Sequence, residues 1–130
     1  MRLNIQKMLS FSELGVGENV LKAIQELGFI EPTPIQQQAI PVLLADETDF
    51  VGLAQTGTGK TAAFGLPILE LTDLRIPTTQ ALILAPTREL CVQIANDLAK
   101  YGKFHRTANI TSVYGGADII QQILQIRKGS

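Results

Sequence analysis

Tryptophan is absent from these 130 residues, histidine and cysteine occur once each, and aromatic residues make up only 5%. The lone Cys91 excludes an intramolecular disulfide framework and fits a reducing compartment, so the cytoplasm is the expected location. Cys91 and the single His105 have no partners at metal-ligand spacing; the first reads as a buried helix residue and the second as a solvated loop residue. No apolar run is long enough to span a bilayer, and residues 1–10 are too polar for a secretory signal, so no membrane partner is expected. There is also no basic excess. Eleven Lys+Arg against twelve Asp+Glu give a formal net charge of -1, which excludes a protein that coats nucleic acid by bulk electrostatics. Any nucleic-acid contact must be local. No repeat or low-complexity stretch is present.

What is present is apolar. Hydrophobic residues are 45% and charged residues 18%, enough to build one core and too little charge for intrinsic disorder; the length leaves no room for a second core of ordinary size. The charge is unevenly spread. Residues 1–87 carry five basic and nine acidic side chains, whereas 88–130 carry six and three. An anion-facing surface in the second part and a plain solvated one both fit that split.

Val20, Leu21, Ile24 and Leu27 recur at helical spacing until Gly28, predicting a short amphipathic helix from Glu18. Glu31-Pro32-Thr33-Pro34 then fixes φ twice and reads as a rigid turn. Pro34 suits the first turn of a second helix to about Ala45, where Pro41 demands a kink or a restart. From there short apolar runs alternate with helical patterns: 50–54 then 62–71, 81–85 then 88–101, 110–113 then 119–126. The alternation predicts an α/β protein whose three runs are neighbouring parallel strands with right-handed crossovers and helices on both faces. Three strands are few for such a sheet, so the domain is expected to be incomplete.

Ala54-Gln55-Thr56-Gly57-Thr58-Gly59-Lys60-Thr61 lies between the first run and its helix, and matches the phosphate-loop (P-loop) pattern except for Ala54 at the first glycine position. Gly57 and Gly59 permit the backbone angles that turn successive N–H groups inward, towards phosphate oxygens at a positive helix N-terminus. Lys60 can reach the β- and γ-phosphates of a nucleotide, and the Thr61 hydroxyl can complete a Mg²⁺ shell, which makes these two the candidate catalytic residues. A glycine-rich turn with a surface lysine is the plainer alternative.

Three further segments resemble one family. Residues 28–36, Gly-Phe-Ile-Glu-Pro-Thr-Pro-Ile-Gln, with Phe11 upstream, resemble the Q motif of DEAD-box RNA helicases. The alanine-first loop at 54–61 is similar to that family's own form of the P-loop, Pro86-Thr87-Arg88-Glu89-Leu90 resembles its motif Ia, and Gly115-Gly116 its GG element. The resemblance runs from Phe11 to the end of the chain. It implies a RecA-like P-loop NTPase fold, three-layered around a parallel sheet, with residues 1–130 the N-terminal part of helicase domain 1. Within it, about 9–37 form the Q-motif region and about 49–130 the βα core.

The resemblance also assigns residues. Phe11, Phe29, Thr33, Gln36, Gln55, Thr56, Gly57, Thr58, Gly59, Lys60 and Thr61 are implied to hold ATP or ADP, with Mg²⁺ at Thr61 through the nucleotide. A glutamine amide can accept from adenine N6 while donating to N7, a match guanine does not offer, and Phe11 is implied to stack on the base. Structurally, Gln36 also reads as an exposed helix glutamine and Phe11 as a hydrophobic contact closing the first helix. Pro86, Thr87, Arg88, Gly115 and Gly116 are implied to touch the RNA backbone; Thr87 is independently a good helix N-cap.

The family's Walker B Asp-Glu-Ala-Asp segment, its Ser-Ala-Thr element and the arginines of its second domain do not occur in the 130 residues. The expected function is thus an ATP-dependent RNA helicase, an RNA-stimulated ATPase, carried here as an adenine-nucleotide-binding part with weak RNA affinity and no turnover of its own. The rest of the helicase core is expected to follow Ser130. A non-catalytic nucleotide-binding or inhibitory module is the alternative.

Overall fold

The computed structural model describes residues 8–45, 49–73, 75–105 and 109–130. Five helices follow in order: α1 (Glu18–Glu26), α2 (Pro34–Ala45), α3 (Lys60–Leu71), α4 (Arg88–Tyr101) and α5 (Ile119–Arg127). Each lies within two residues of the span its apolar periodicity predicts. α1 buries Val20, Ala23 and Ile24, one stripe at helical spacing. Its N-cap Gly17 has no side chain to offer, and the Gly17 N–H donates instead to Glu70 Oε1 of α3 at 2.8 Å. α2 runs through Pro41 as one element, so of the kink or restart expected there, a restart does not occur. α4 starts at Thr87, whose hydroxyl accepts from the Leu90 N–H at 3.2 Å, the capping role read from the sequence. α5 starts at Asp118, which accepts from the N–H groups of Ile120 and Gln121.

α3, the helix that follows the P-loop, is the hub. α1, α2 and α4 all pack on it, while α5 packs on none of the other four. Val20, Ile24, Ile40 and Leu66 are completely buried where these helices meet, and Phe11, Leu14 and Val16 close the cluster from the N-terminal side. Burying a side chain of this size contributes roughly 1.5–3 kcal/mol, so the helical layer carries most of the packing.

The predicted sheet is not formed among the described residues. Segments 50–54, 81–85 and 110–113 contain no strand, and no backbone hydrogen bond joins any two of them. The expected three neighbouring parallel strands are thus not shown among the described residues. Ile83, Ala85 and Ile110 do lie against the helical core. Their neighbours do not: Val51, Leu53, Leu82 and Leu84 are 81–92% exposed. A cavity of about 620 Å³ is lined by 81–85 and 109–113 together with residues of α3 and α4, and residues 50–54 are not part of its wall. A parallel ladder needs a partner about 4.8 Å to the side and a packed layer on each face; these segments have part of one layer and no lateral partner.

Candidate functional site

The turn Pro32-Thr33-Pro34 delivers the start of α2 to the P-loop, and two side chains make the connection. Thr33 donates its hydroxyl to the Thr58 carbonyl at 2.9 Å. The Gln36 carboxamide is used at both ends: Oε1 accepts from the Thr33 N–H at 2.9 Å, and Nε2 donates to the Gly59 carbonyl at 3.1 Å. Gln36 is 2% exposed, so it is a buried amide with satisfied ends and not the exposed helix glutamine that its Gln37 and Gln38 neighbours suggest. Each end keeps spare capacity, one lone pair on Oε1 and one N–H on Nε2, for a further bond.

Gly59 is the N-cap of α3 and takes a left-handed conformation, φ 82° and ψ 24°. A Cβ there would run into Gln36 Nε2, so glycine is required both by the backbone and by the amide lying against it. The loop is folded onto its own lysine. Lys60 Nζ donates to the carbonyls of Ala54 and, at 2.8 Å, Gln55, and the Thr58 hydroxyl donates to the same Gln55 carbonyl at 2.7 Å. Among the described residues no carboxylate pairs with Lys60. Gln55, Thr56 and Gly57 are exposed and Thr61 is half-buried at the first turn of α3. A cation held only by neutral carbonyls, at the positive end of a helix, is arranged to accept an anion. The residues present therefore fit a nucleotide phosphate chain, with the Thr61 hydroxyl free for a cation carried by it.

The aromatic residues stand differently. Phe11 is buried in the core with its ring centroid 6.1 Å from that of Phe29, which in turn meets Tyr101 edge-on at 5.8 Å. Phe11 packs as the contact that closes the first helix.

A second cluster forms at the start of α4. Pro86, Thr87 and Arg88 are exposed, as are Gly115 and Gly116. The structure brings these two separated segments together: the Arg88 guanidinium lies over the Tyr114 ring at 5.6 Å, and its Nη2 is 2.8 Å from where a Cβ on Gly116 would stand. Gly116 has φ +86°, so it too must be glycine. Sequence reasoning passed over Tyr114 and Gln122. Gln122, on α5, accepts from the Tyr114 N–H at 2.9 Å and donates to the Tyr114 carbonyl at 3.3 Å. The sequence offers no signal that separates Gln122 from Gln121 and Gln125 on the same helix.

Cys91 is half-buried on α4, and His105 is half-buried with Nε2 enclosed and unpartnered among the described residues, so the solvated reading of His105 is corrected. No group of three His, Cys, Asp or Glu able to hold a metal occurs among the described residues, and no helix there is long and apolar enough to cross a membrane.

A P-loop joined to a buried glutamine upstream, with an arginine and a double glycine set together downstream, is the pattern of one class of nucleotide-driven proteins, and the comparisons name it. The model of the DEAD/DEAH box helicase family matches residues 33–130. The chain belongs to that family. It is 50% identical over 120 residues to the ATP-dependent RNA helicase CshA of Limosilactobacillus reuteri, covering 92% of this chain and 24% of that protein. It is 48% identical over 121 residues to the DEAD-box ATP-dependent RNA helicase CshA of Geobacillus kaustophilus, covering 93% and 26%. The chain thus spans about a quarter of the length of these curated relatives. Its fold is similar to that of a DEAD box protein from Methanococcus jannaschii, with a TM-score of 0.87 and 40% identity over 92% of this chain and 32% of that one. It is also similar to the RNA helicase Prp28 from Chaetomium thermophilum bound to ADP, with a TM-score of 0.80 and 38% identity over 94% and 30%.

Proposed function

We propose that this chain is the nucleotide-binding part of a cytoplasmic ATP-dependent RNA helicase, and that it supplies adenine recognition, the phosphate cradle and the first RNA contacts. The observation that carries the reading is the joint made by Thr33 and Gln36 on the carbonyls of Thr58 and Gly59, because it ties a base-reading amide to the phosphate loop. Gln36 reads the adenine edge, Gln55 to Lys60 enclose the phosphates, and Thr61 meets the Mg²⁺ that the nucleotide brings. On binding, Lys60 exchanges the carbonyls of Ala54 and Gln55 for phosphate oxygens. Phe11 and Phe29 form the apolar wall beside the base, and stacking by Phe11 requires its ring to turn out of the core. Pro86, Thr87, Arg88, Gly115 and Gly116 contact the RNA backbone.

The exposed side chains of Val51, Leu53, Leu82 and Leu84 support reading 50–54, 81–85 and 110–113 as positions in a RecA-like parallel sheet that pair once further strands lie beside them. Phosphoryl transfer is catalysed by positioning and by charge placed where charge develops, and an arginine finger alone is worth about 10³–10⁵ in rate. The 130 residues hold the cradle and no Walker B carboxylates, so ADP binding without ATP turnover is expected. Phosphate release measured with and without single-stranded RNA, using Lys60→Ala as the control for contamination, tests this. RNA-stimulated release that vanishes in Lys60→Ala would overturn the absence of turnover, and failure to bind ADP would overturn the nucleotide site itself.

A further inference from the structure

Gln122 is one of two buried polar residues among the described residues, at 7% exposure, yet it lies on the helix with the least cover. Around it on α5, Ile119, Ile120, Ile123 and Leu124 are 42–66% exposed. A helix that leaves its isoleucines in water and buries its glutamine inverts the usual order, so packing alone does not account for the position. Hydrogen bonding does. The Gln122 carboxamide accepts the Tyr114 N–H, donates to the Tyr114 carbonyl, and its Nε2 also lies 3.4 Å from the Asp118 carbonyl. One side chain thereby fixes both main-chain groups of Tyr114 and the far end of the 114–118 loop.

Tyr114 is half-buried and its ring faces the Arg88 guanidinium, whose Nη2 fills the space that a Cβ on Gly116 would need. Arg88 has no carboxylate partner among the described residues, so the ring and the glycine are what hold it. We propose that Gln122 is a positioning residue for RNA-phosphate binding: by clamping the Tyr114 main chain it holds the notch of Tyr114 and Gly116 in which the Arg88 guanidinium is presented. The proposal rests on the RNA-interface reading of Arg88 given above, and it adds a residue outside the segments that carry that reading.

The test uses the 130-residue chain, its Gln122→Met, Arg88→Ala and Tyr114→Leu variants, and the double variant Gln122→Met/Arg88→Ala. Two readouts are taken: the NMR signal of the Arg88 Nε–H, which the Tyr114 ring displaces from the free-arginine position, and the affinity for a fluorescein-labelled oligouridylate at low ionic strength. Gln122→Met should return the Arg88 signal towards the free position, as Tyr114→Leu does, and weaken RNA binding about two- to fivefold, the size of one exposed cation–π contact. ADP affinity should stay at the parent value. The double variant should bind RNA no more weakly than Arg88→Ala alone, since Gln122 acts through Arg88. An unmoved Arg88 signal in Gln122→Met, or losses that add in the double variant, would overturn the proposal. If Arg88→Ala leaves RNA binding unchanged, the RNA-interface reading fails, and the Arg88 signal still decides whether Gln122 positions it. Should Gln122→Met fail to fold, Gln122→Glu keeps the side-chain length and the acceptor, loses the donor to the Tyr114 carbonyl, and gives the same readings.

Discussion

Two glutamines hold two loops in this protein, Gln36 the P-loop and Gln122 the 114–118 loop, and they do so under opposite conditions. Gln36 sits on α2, which packs on α3, and its amide bridges a residue three positions away and one 23 positions away. Gln122 sits on a helix that packs on no other, and its bonds stay within eight residues of chain. The first couples two elements that a core already presses together. The second makes a local clamp where no core exists. Both lie against an obligatory positive-φ glycine or the loop that carries one, Gly59 and Gly116. The lesson is that a buried amide can define a loop with or without a core behind it, and the cost of breaking it should differ between the two.

The largest expected effect is at Lys60. Lys60→Ala removes a charge-assisted contact to phosphate, worth about 1.5–3 kcal/mol, so ADP and GDP should both weaken by roughly ten- to a hundredfold in calorimetric titration. An effect on ADP alone would place Lys60 at the base and not at the phosphates. Next is Gly59→Ala, which forces an L-residue into the left-handed region at about 1–2 kcal/mol and drives a methyl into Gln36. Thermal unfolding should report the loss of stability, and adenine preference should fall with it, because the amide must move. No comparable coupling is expected on the Gln122 side, where the proposed ligand is RNA.

How much of this was legible in the sequence follows the same division. All five helices could be placed because their signals are local: Thr87 as a cap, Pro34 at a first turn, and the apolar spacing of Val20, Leu21, Ile24 and Leu27 up to Gly28. The P-loop was legible for the same reason, being one continuous motif. Segments 50–54, 81–85 and 110–113 were legible as apolar runs, but pairing is a non-local property, and none of them forms a strand among the described residues. Gln36 drew notice through the Pro-Thr-Pro turn before it, although its burial against Gly59 was not readable. Gln122 gave no such cue, since Gln121 beside it is exposed and identical in type. The contact of Arg88 with Tyr114 and Gly116 joins segments more than 20 residues apart and needed the structure.

Smaller effects separate the two loop anchors further. Thr87→Ala and Asp118→Ala each remove a helix cap at about 1 kcal/mol. The first should lower the thermal midpoint of a helix packed on α3. The second should leave global unfolding nearly unchanged and show up as faster amide exchange in α5, since that helix is outside the packed cluster. Equal midpoint shifts would contradict the division between a core-backed and a locally clamped half. The smallest effect is on alkaline stability. Burial raises the Tyr101 hydroxyl from 10.0 to about 12, with the nearby Asp97 carboxylate adding to the shift. Below pH 10 folded and unfolded chains both keep the proton. As pH rises from about 10 to about 12 the unfolded chain loses it first, so folding stability should fall across that window, and Tyr101→Phe should flatten the decline in a denaturant titration series.

The central claim is that Gln36 makes the P-loop site specific for adenine, and paired calorimetric titrations of ADP and GDP into the parent chain and Gln36→Ala test it most directly. The account predicts that the parent binds ADP roughly ten- to a hundredfold more tightly than GDP, the worth of one bidentate base contact at about 1–3 kcal/mol, and that Gln36→Ala binds the two alike while keeping most of the phosphate affinity. Equal affinities for ADP and GDP in the parent chain would contradict it.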